Sequence, residues 1–181
     1  MSLYSYNEIK KLMKSNYQIR KNISEGKYYK LDSNLYSDKK YVNPLEIIVK
    51  KYPNAIFTMD SAFYYYELTD VVPDYFYLAT TRTSTRIKND NIKQTFVSND
   101  LFEIGKTQII VENVKINIYN KERLLVELIR KRKSIPFDYY KEIINNYRNI
   151  INELDIYKIQ EYISYYKNKH SLYETLKREV F

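Results

Sequence analysis

Apolar positions recur every three or four residues at both ends of the chain and every second residue in its middle. That pattern predicts helices, then strands, then helices again. Ser5 followed by Glu8 has capping-box spacing, so a helix is expected from about Tyr6, with Tyr6, Ile9, Leu12 and Met13 on one face. Residues 14–16, Lys-Ser-Asn, suit a tight turn. A second helix is expected from about Tyr17 to Glu25, with Ile19 and Ile23 facing inward and Gly26 stopping it. Residues 27–37 predict two short strands around a turn at Asp32, Ser33 and Asn34.

Asn43, Pro44 and Glu46 then predict a capped helix ending before Pro53. A strand is expected over 55–59. A helix capped by Asp60 or Ser61 follows and carries Phe63, Tyr64, Tyr65 and Tyr66 in a row. Further strands are expected over 74–81 and 93–98, separated by a polar, basic loop. Residues 106–120 read as a hairpin turning at Glu112 and Asn113, with Ile109, Val111, Val114, Ile116 and Ile118 as its apolar positions. The remainder is helical. Leu124, Leu125, Leu128 and Ile129 mark one stripe. Phe137, Tyr140, Ile143, Ile144, Tyr147, Ile150 and Ile151 mark a second. Ile156, Ile159, Tyr162, Ile163 and Tyr166 form a third, and Leu172, Leu176 and Val180 follow a second capping-box pair, Ser171 and Glu174.

The expected fold is therefore α+β: an N-terminal winged helix-turn-helix over 1–42, then a mixed α/β domain over 43–181 ending in a helical C-terminal region. Helix, short turn, helix and hairpin is the element order of the winged motif, whose second helix enters the major groove while its hairpin leans on the backbone. Tyr17, Gln18, Lys21 and Asn22 would face outward on that helix, with Arg20 and Asn16 nearby. Gln and Asn pair with adenine edges; Arg and Lys reach guanine edges or phosphates. Lys27, Lys30, Ser33 and Asn34 belong to the hairpin side of the same surface.

Charge sharpens this reading. The formal net charge is +8, and residues 1–30 hold seven Lys or Arg against two Glu. A basic chain favours an anionic partner such as nucleic acid, although an AT-rich coding sequence also enriches Lys and Tyr. Outside the first domain, Arg82, Arg86 and Lys88 in the basic loop, and the run Arg130, Lys131, Arg132 and Lys133, are candidate phosphate contacts. The chain has no cysteine, so no disulfide or thiolate chemistry is available, which fits a cytoplasmic setting. No apolar run is long enough for a bilayer, and the N-terminus lacks the pattern of a secretory signal.

Candidate catalytic chemistry is sparse. His170 is the only histidine, and Gly26 and Gly105 are the only glycines. A zinc site, a phosphate-cradling glycine loop and a serine-hydrolase elbow all lack their parts, so no enzyme activity, metal or cofactor is expected.

Four blocks in order, residues 26–37, 52–70, 73–82 and 118–132, resemble the AbiEi family of antitoxins from abortive-infection toxin–antitoxin pairs. They include the Tyr52-Pro53 pair, the Ser61-Ala62 helix ending in Leu68-Thr69-Asp70, Thr80-Thr81-Arg82, and Glu122-Arg123 followed by Leu125. The wing tip departs from that pattern, with Ser33-Asn34 where the family usually carries Arg-Gly. The resemblance implies a repressor that binds inverted repeats at its own promoter, as a monomer in solution or as copies pairing on DNA. It also implies an antitoxin domain counteracting a nucleotidyltransferase-like toxin. It places the aromatic run in a central helix, with Phe63 and Tyr66 in the core and Tyr64 and Tyr65 beneath the C-terminal helices. The alternative is a nucleic-acid-processing enzyme or accessory RNA-binding protein that uses the loop over 81–90.

Overall fold

The structure, a computed structural model, describes residues 3–181 of the chain. It is α+β, with two separate sheets, and falls into two compact units, Met1–Pro53 and Asn54–Phe181. Among the described residues, no helix is long and apolar enough to cross a membrane.

The first unit begins with a strand the pattern does not predict, β1 (Leu3–Ser5), too short to show alternation. Helix α1 (Tyr6–Met13) starts at the expected capping box: Ser5 Oγ accepts from the Glu8 amide, and Glu8 accepts from the Ser5 amide. The Ser5 amide, with the Lys50 ammonium and the Ser5 hydroxyl, holds the Glu8 carboxyl down at about 2. Lys14 turns the chain in a left-handed conformation (φ 60°), and Ser15 caps helix α2 (Asn16–Ser24) by accepting from the Gln18 amide. Gly26, at φ 70°, follows its C-terminus as expected.

Strands β2 (Tyr29–Asp32) and β3 (Leu35–Ser37) form the hairpin. The antiparallel order is β1-β3-β2, with Tyr4 opposite Tyr36 and Lys30 opposite Tyr36 on the other side. The register slips between Lys30 and Asp32, and Asn34 does not adopt the left-handed conformation. Instead, its carbonyl accepts from the Tyr6 amide at the start of α1.

Ile9, Ile19 and Tyr36 form the small core, flanked by Tyr4, Tyr6, Met13, Ile23 and Tyr28. Helix α3 (Pro44–Lys51), capped by Asn43, also belongs to this unit. Lys50 reaches Glu8 at 2.9 Å, and Lys51 pairs with Asp32. The unit therefore extends about ten residues past the boundary expected from sequence.

The second unit is built on a mixed five-stranded sheet. Its strands are β4 (Ile56–Phe57), β5 (Phe76–Thr81), β6 (Ile92–Val97), β7 (Lys106–Val111) and β8 (Val114–Tyr119). The order is β6-β5-β4-β8-β7. The pairs β5–β6 and β4–β8 are parallel, whereas β4–β5 and β7–β8 are antiparallel. Glu112 (φ 48°) and Asn113 (φ 65°) make the expected two-residue hairpin turn with the positive φ pair it requires. Val114, Ile116 and Ile118 point to one buried face.

Helix α4 (Met59–Tyr65) carries the aromatic run. Thr58 stands at its N-cap without a side-chain bond, in place of the expected Asp60 or Ser61. Ser61 is buried and ties the helix to β5, donating to the Tyr75 carbonyl and accepting from the Tyr77 amide. The helix ends with Glu67 left-handed at φ 57° and the Leu68 amide bonded to the Phe63 carbonyl. Phe63 is fully buried, while Tyr64, Tyr65 and Tyr66 are half-buried. Tyr65 meets Phe57 edge-on, and burial pushes the Tyr65 and Tyr66 phenols up to about 12.

A four-residue helix, α5 (Asn99–Phe102), precedes β7. Helices α6 (Lys121–Lys131), α7 (Phe137–Asn149), α8 (Ile156–Ser164) and α9 (Lys169–Glu179) complete the unit. Helix α6 is its centre, packing against α4, α8 and α9. Two sequence expectations change here. Helix α9 begins two residues before Ser171, so Ser171 and Glu174 form no capping box. Phe137 is 69% exposed beneath the Lys141 ammonium instead of buried with its stripe.

Gly105 shows how closely α6 sits. At φ 73° it approaches so near that a Cβ would lie 2.6 Å from Arg123 Cβ. Gly105→Ala is expected to destabilise the second unit by about 3 kcal/mol through left-handed strain and collision together. Gly26→Ala, with its nearest neighbour 3.9 Å away, should lose about 1 kcal/mol from strain alone. Urea unfolding followed by circular dichroism measures both.

Candidate functional site

Two regions bring the candidate residues into focus, one in each unit. On α2, Ile19 turns into the core, leaving Tyr17, Gln18, Arg20 and Lys21 exposed; Tyr17 is 71% exposed. This outer face results from helical spacing around one buried isoleucine. Asn16 and Asn22 are more committed. Asn16 Oδ1 accepts from the Tyr6 hydroxyl at 2.8 Å, tying α1 to the start of α2. Asn22 Nδ2 donates to the Gln18 carbonyl at 2.8 Å, so its side chain lies along the helix and does not project from it. Lys21 and Lys27 both approach Glu25, at 3.9 and 2.8 Å. Lys30, Ser33 and Asn34 are exposed on the hairpin.

The basic loop of the second unit runs between β5 and β6. Gln94 of β6 holds it, accepting from the Ile87 amide and donating to Thr80 Oγ1 and the Thr85 carbonyl. Arg82, Arg86 and Lys88 are exposed there.

The run from Arg130 to Lys133 does not form one exposed stripe. Arg130 donates from Nε and Nη2 to Glu127, at 3.0 and 2.6 Å, and lies 5.2 Å from the Tyr166 ring. Lys131 is half-buried, and burial lowers its pKa. Arg132 donates to the Ile129 carbonyl at the C-terminus of α6. Lys133 remains exposed. The cause is geometric: residues 123, 127, 130 and 131 share one face of α6, and protein covers that face at Arg123 and Glu127 and in part at Lys131, while Arg130 keeps an exposed side.

Arg123 is the residue sequence reasoning missed as chemistry. Only 1% exposed, it pairs with Glu127 through Nη2 at 3.1 Å. Its guanidinium lies 5.5 Å from the Tyr119 ring and 5.6 Å from the Tyr166 ring. Tyr166 donates its hydroxyl to Glu127 at 2.6 Å. Burial pushes the Glu127 carboxyl up, but Arg130, Arg123 and the Tyr166 hydrogen bond outweigh it and hold it below the usual carboxylate range. Arg123 Nε and Nη1 are buried with no hydrogen-bond partner among the described residues. The spacing of Arg123, Glu127 and Arg130 was visible in the sequence, but it reads equally as an exposed ion-pair ladder.

This group borders a cavity of about 210 Å³ whose walls include Arg82, Arg123, Arg130, Lys131 and Glu127. A neighbouring cleft of about 430 Å³ is lined by Asp60, Asp74, Tyr77, Tyr139 and the other side of Lys131. Among the described residues, no group of three or more His, Asp or Glu side chains could hold a metal ion.

Because its folded pKa is depressed, ionised Glu127 contributes stability above the ordinary carboxylate range. That contribution is lost as pH falls through the folded value. Glu127→Gln should destabilise the unit by about 3 kcal/mol near pH 7, since it strands the buried Arg123 guanidinium and takes the partner from the more exposed Arg130. The gap from the wild type should narrow steadily below pH 4.5, the ordinary value. Urea unfolding at a series of pH values reads this directly.

No protein-family model matches the sequence, and no curated protein matches it significantly.

Proposed function

We propose that the protein is a DNA-binding antitoxin that represses its own operon through the first unit and has no catalytic role. The observation that carries the DNA-binding half is the exposed face of α2. Tyr17, Gln18, Arg20 and Lys21 project from a short capped helix that follows α1 across a tight turn and precedes an antiparallel hairpin. In this reading the first unit acts as a winged helix-turn-helix. Helix α2 enters the major groove, Gln18 and Arg20 read base edges, and Lys21, Lys27 and Lys30 hold phosphates. Lys21 and Lys27 would exchange Glu25 for phosphate on binding. In the second unit, Arg82, Arg86, Lys88 and Lys133 are exposed cations that would add backbone contacts in this reading. Inverted repeats bound by two copies would pair the protein on DNA. The antitoxin half rests on the four ordered blocks that resemble AbiEi proteins, a resemblance that implies a nucleotidyltransferase-like toxin as the functional partner in the cytoplasm.

The test is binding of the full chain to its own upstream DNA and to a scrambled duplex across a salt series. A preference for the upstream sequence is expected, falling by about tenfold or more in the Arg20→Ala, Lys21→Ala protein. Equal weak binding to both duplexes that vanishes with salt would mean charge alone is at work, and the repressor role would fail.

A further inference from the structure

Four cationic side chains, Arg82, Arg123, Arg130 and Lys131, border the 210 Å³ cavity against the single carboxylate of Glu127. Glu127 is already shared between Arg123 and Arg130 and accepts from Tyr166 as well. The cavity wall therefore keeps a positive excess that its own carboxylate does not neutralise. Asp100, outside the lining, has its pKa lowered chiefly by its hydrogen bond with Ser98 and least by the charge of Arg82. Beside Arg123 the carboxylate is Glu127, which meets Nη2 alone, while Nε and Nη1 are buried without a partner among the described residues. An unpaired buried guanidinium is costly, and its charge adds to the positive field that the adjoining cavity presents to an anion. The Thr58 and Thr95 side chains line the same space and offer neutral donors.

We infer that this cavity binds a phosphate monoester, the terminal phosphoryl group of a nucleotide or of a nucleic-acid strand. Several guanidinium groups and an ammonium around a small space suit a phosphoryl dianion, whose oxygens accept charge-assisted bonds from several directions. The recess selects the monoester. A diester inside a continuous backbone carries a sugar on both sides, whereas a terminal phosphoryl group is small enough to enter a recess of about 210 Å³. The site is independent of the α2 surface, and each can be absent without the other.

The experiment titrates the full chain by calorimetry, at constant ionic strength, with inorganic phosphate, a nucleoside 5′-monophosphate and a short single strand with either a 5′-phosphate or a 5′-hydroxyl. Saturable binding of the phosphate-bearing ligands is expected. It should weaken by about tenfold or more in Arg82→Gln and in Lys131→Gln, each losing one charge-assisted bond. Arg82 is exposed, so its replacement leaves the fold intact, and circular dichroism confirms this for both variants. The Arg20→Ala, Lys21→Ala protein should keep full affinity, separating this site from DNA reading. Preference for the 5′-phosphorylated strand over the mononucleotide would identify a nucleic-acid end as the source, and the reverse a free nucleotide. Lack of saturable binding by any monoester, unchanged affinity in both variants, or equal affinity for the 5′-hydroxyl strand would overturn the inference.

Discussion

The second unit depends on one buried ion pair, Arg123 with Glu127, set a helical turn apart on α6. A buried charge is costly unless it is paired, and Glu127 supplies that pair although Arg123 Nε and Nη1 have no partner among the described residues. Much of the surrounding architecture follows from that requirement. Tyr166 donates to the carboxylate, Arg130 closes on its other oxygen, and Tyr119 and Tyr166 place ring faces near the Arg123 guanidinium. Gly105 lets the chain pass where any side chain would strike Arg123. The opposite face of α6 buries Leu124, Leu125 and Leu128. The helix is thus enclosed on an apolar side and on a charged side, which explains why so many other helices pack against it.

The first unit works by different means. Its core is small, and its order comes from local devices: two N-caps, a left-handed turn at Lys14 and glycine at the end of α2. Two ion pairs at the end of α3 join that helix to Glu8 and Asp32. Such a scaffold leaves the outer face of α2 free of structural duty. Arg20 and Lys21 are exposed where Ile19 is not, so the folding role on this helix falls to the inward residue.

Most elements were legible in the sequence because each leaves a short-range signature. The Ser5–Glu8 box, Asn43-Pro44, Gly26 and the alternation from Val114 to Ile118 all depend on residues within a few positions of one another. What was not legible depends on partners far away in the chain. Strand β1 has three residues and exists because β3 pairs with it. Thr58 displaced Asp60 and Ser61 at the start of α4 because Ser61 is needed by β5, fourteen to sixteen residues later. Phe137 has helical spacing with Tyr140 and Ile144 but lies at the first position of α7, exposed. The basic run 130–133 looked like a surface stripe because helical periodicity assigns charge to solvent. It could not show that Tyr166 lies thirty-nine residues on from Glu127, ready to enclose that face. The α2 surface was therefore readable in advance, while the Arg123 cavity was not.

A double-mutant cycle on Arg123 and Glu127 tests the central claim most directly. Urea unfolding would be measured for the wild type, Arg123→Met, Glu127→Met and the double variant. Each single variant should be destabilised by about 3 kcal/mol or more, because it leaves the other charge buried and uncompensated. The double variant should lose less than the sum of the two, by a coupling of about 2 kcal/mol. Strict additivity, with the two losses simply summing, would contradict the account and leave α6 held by its apolar face alone.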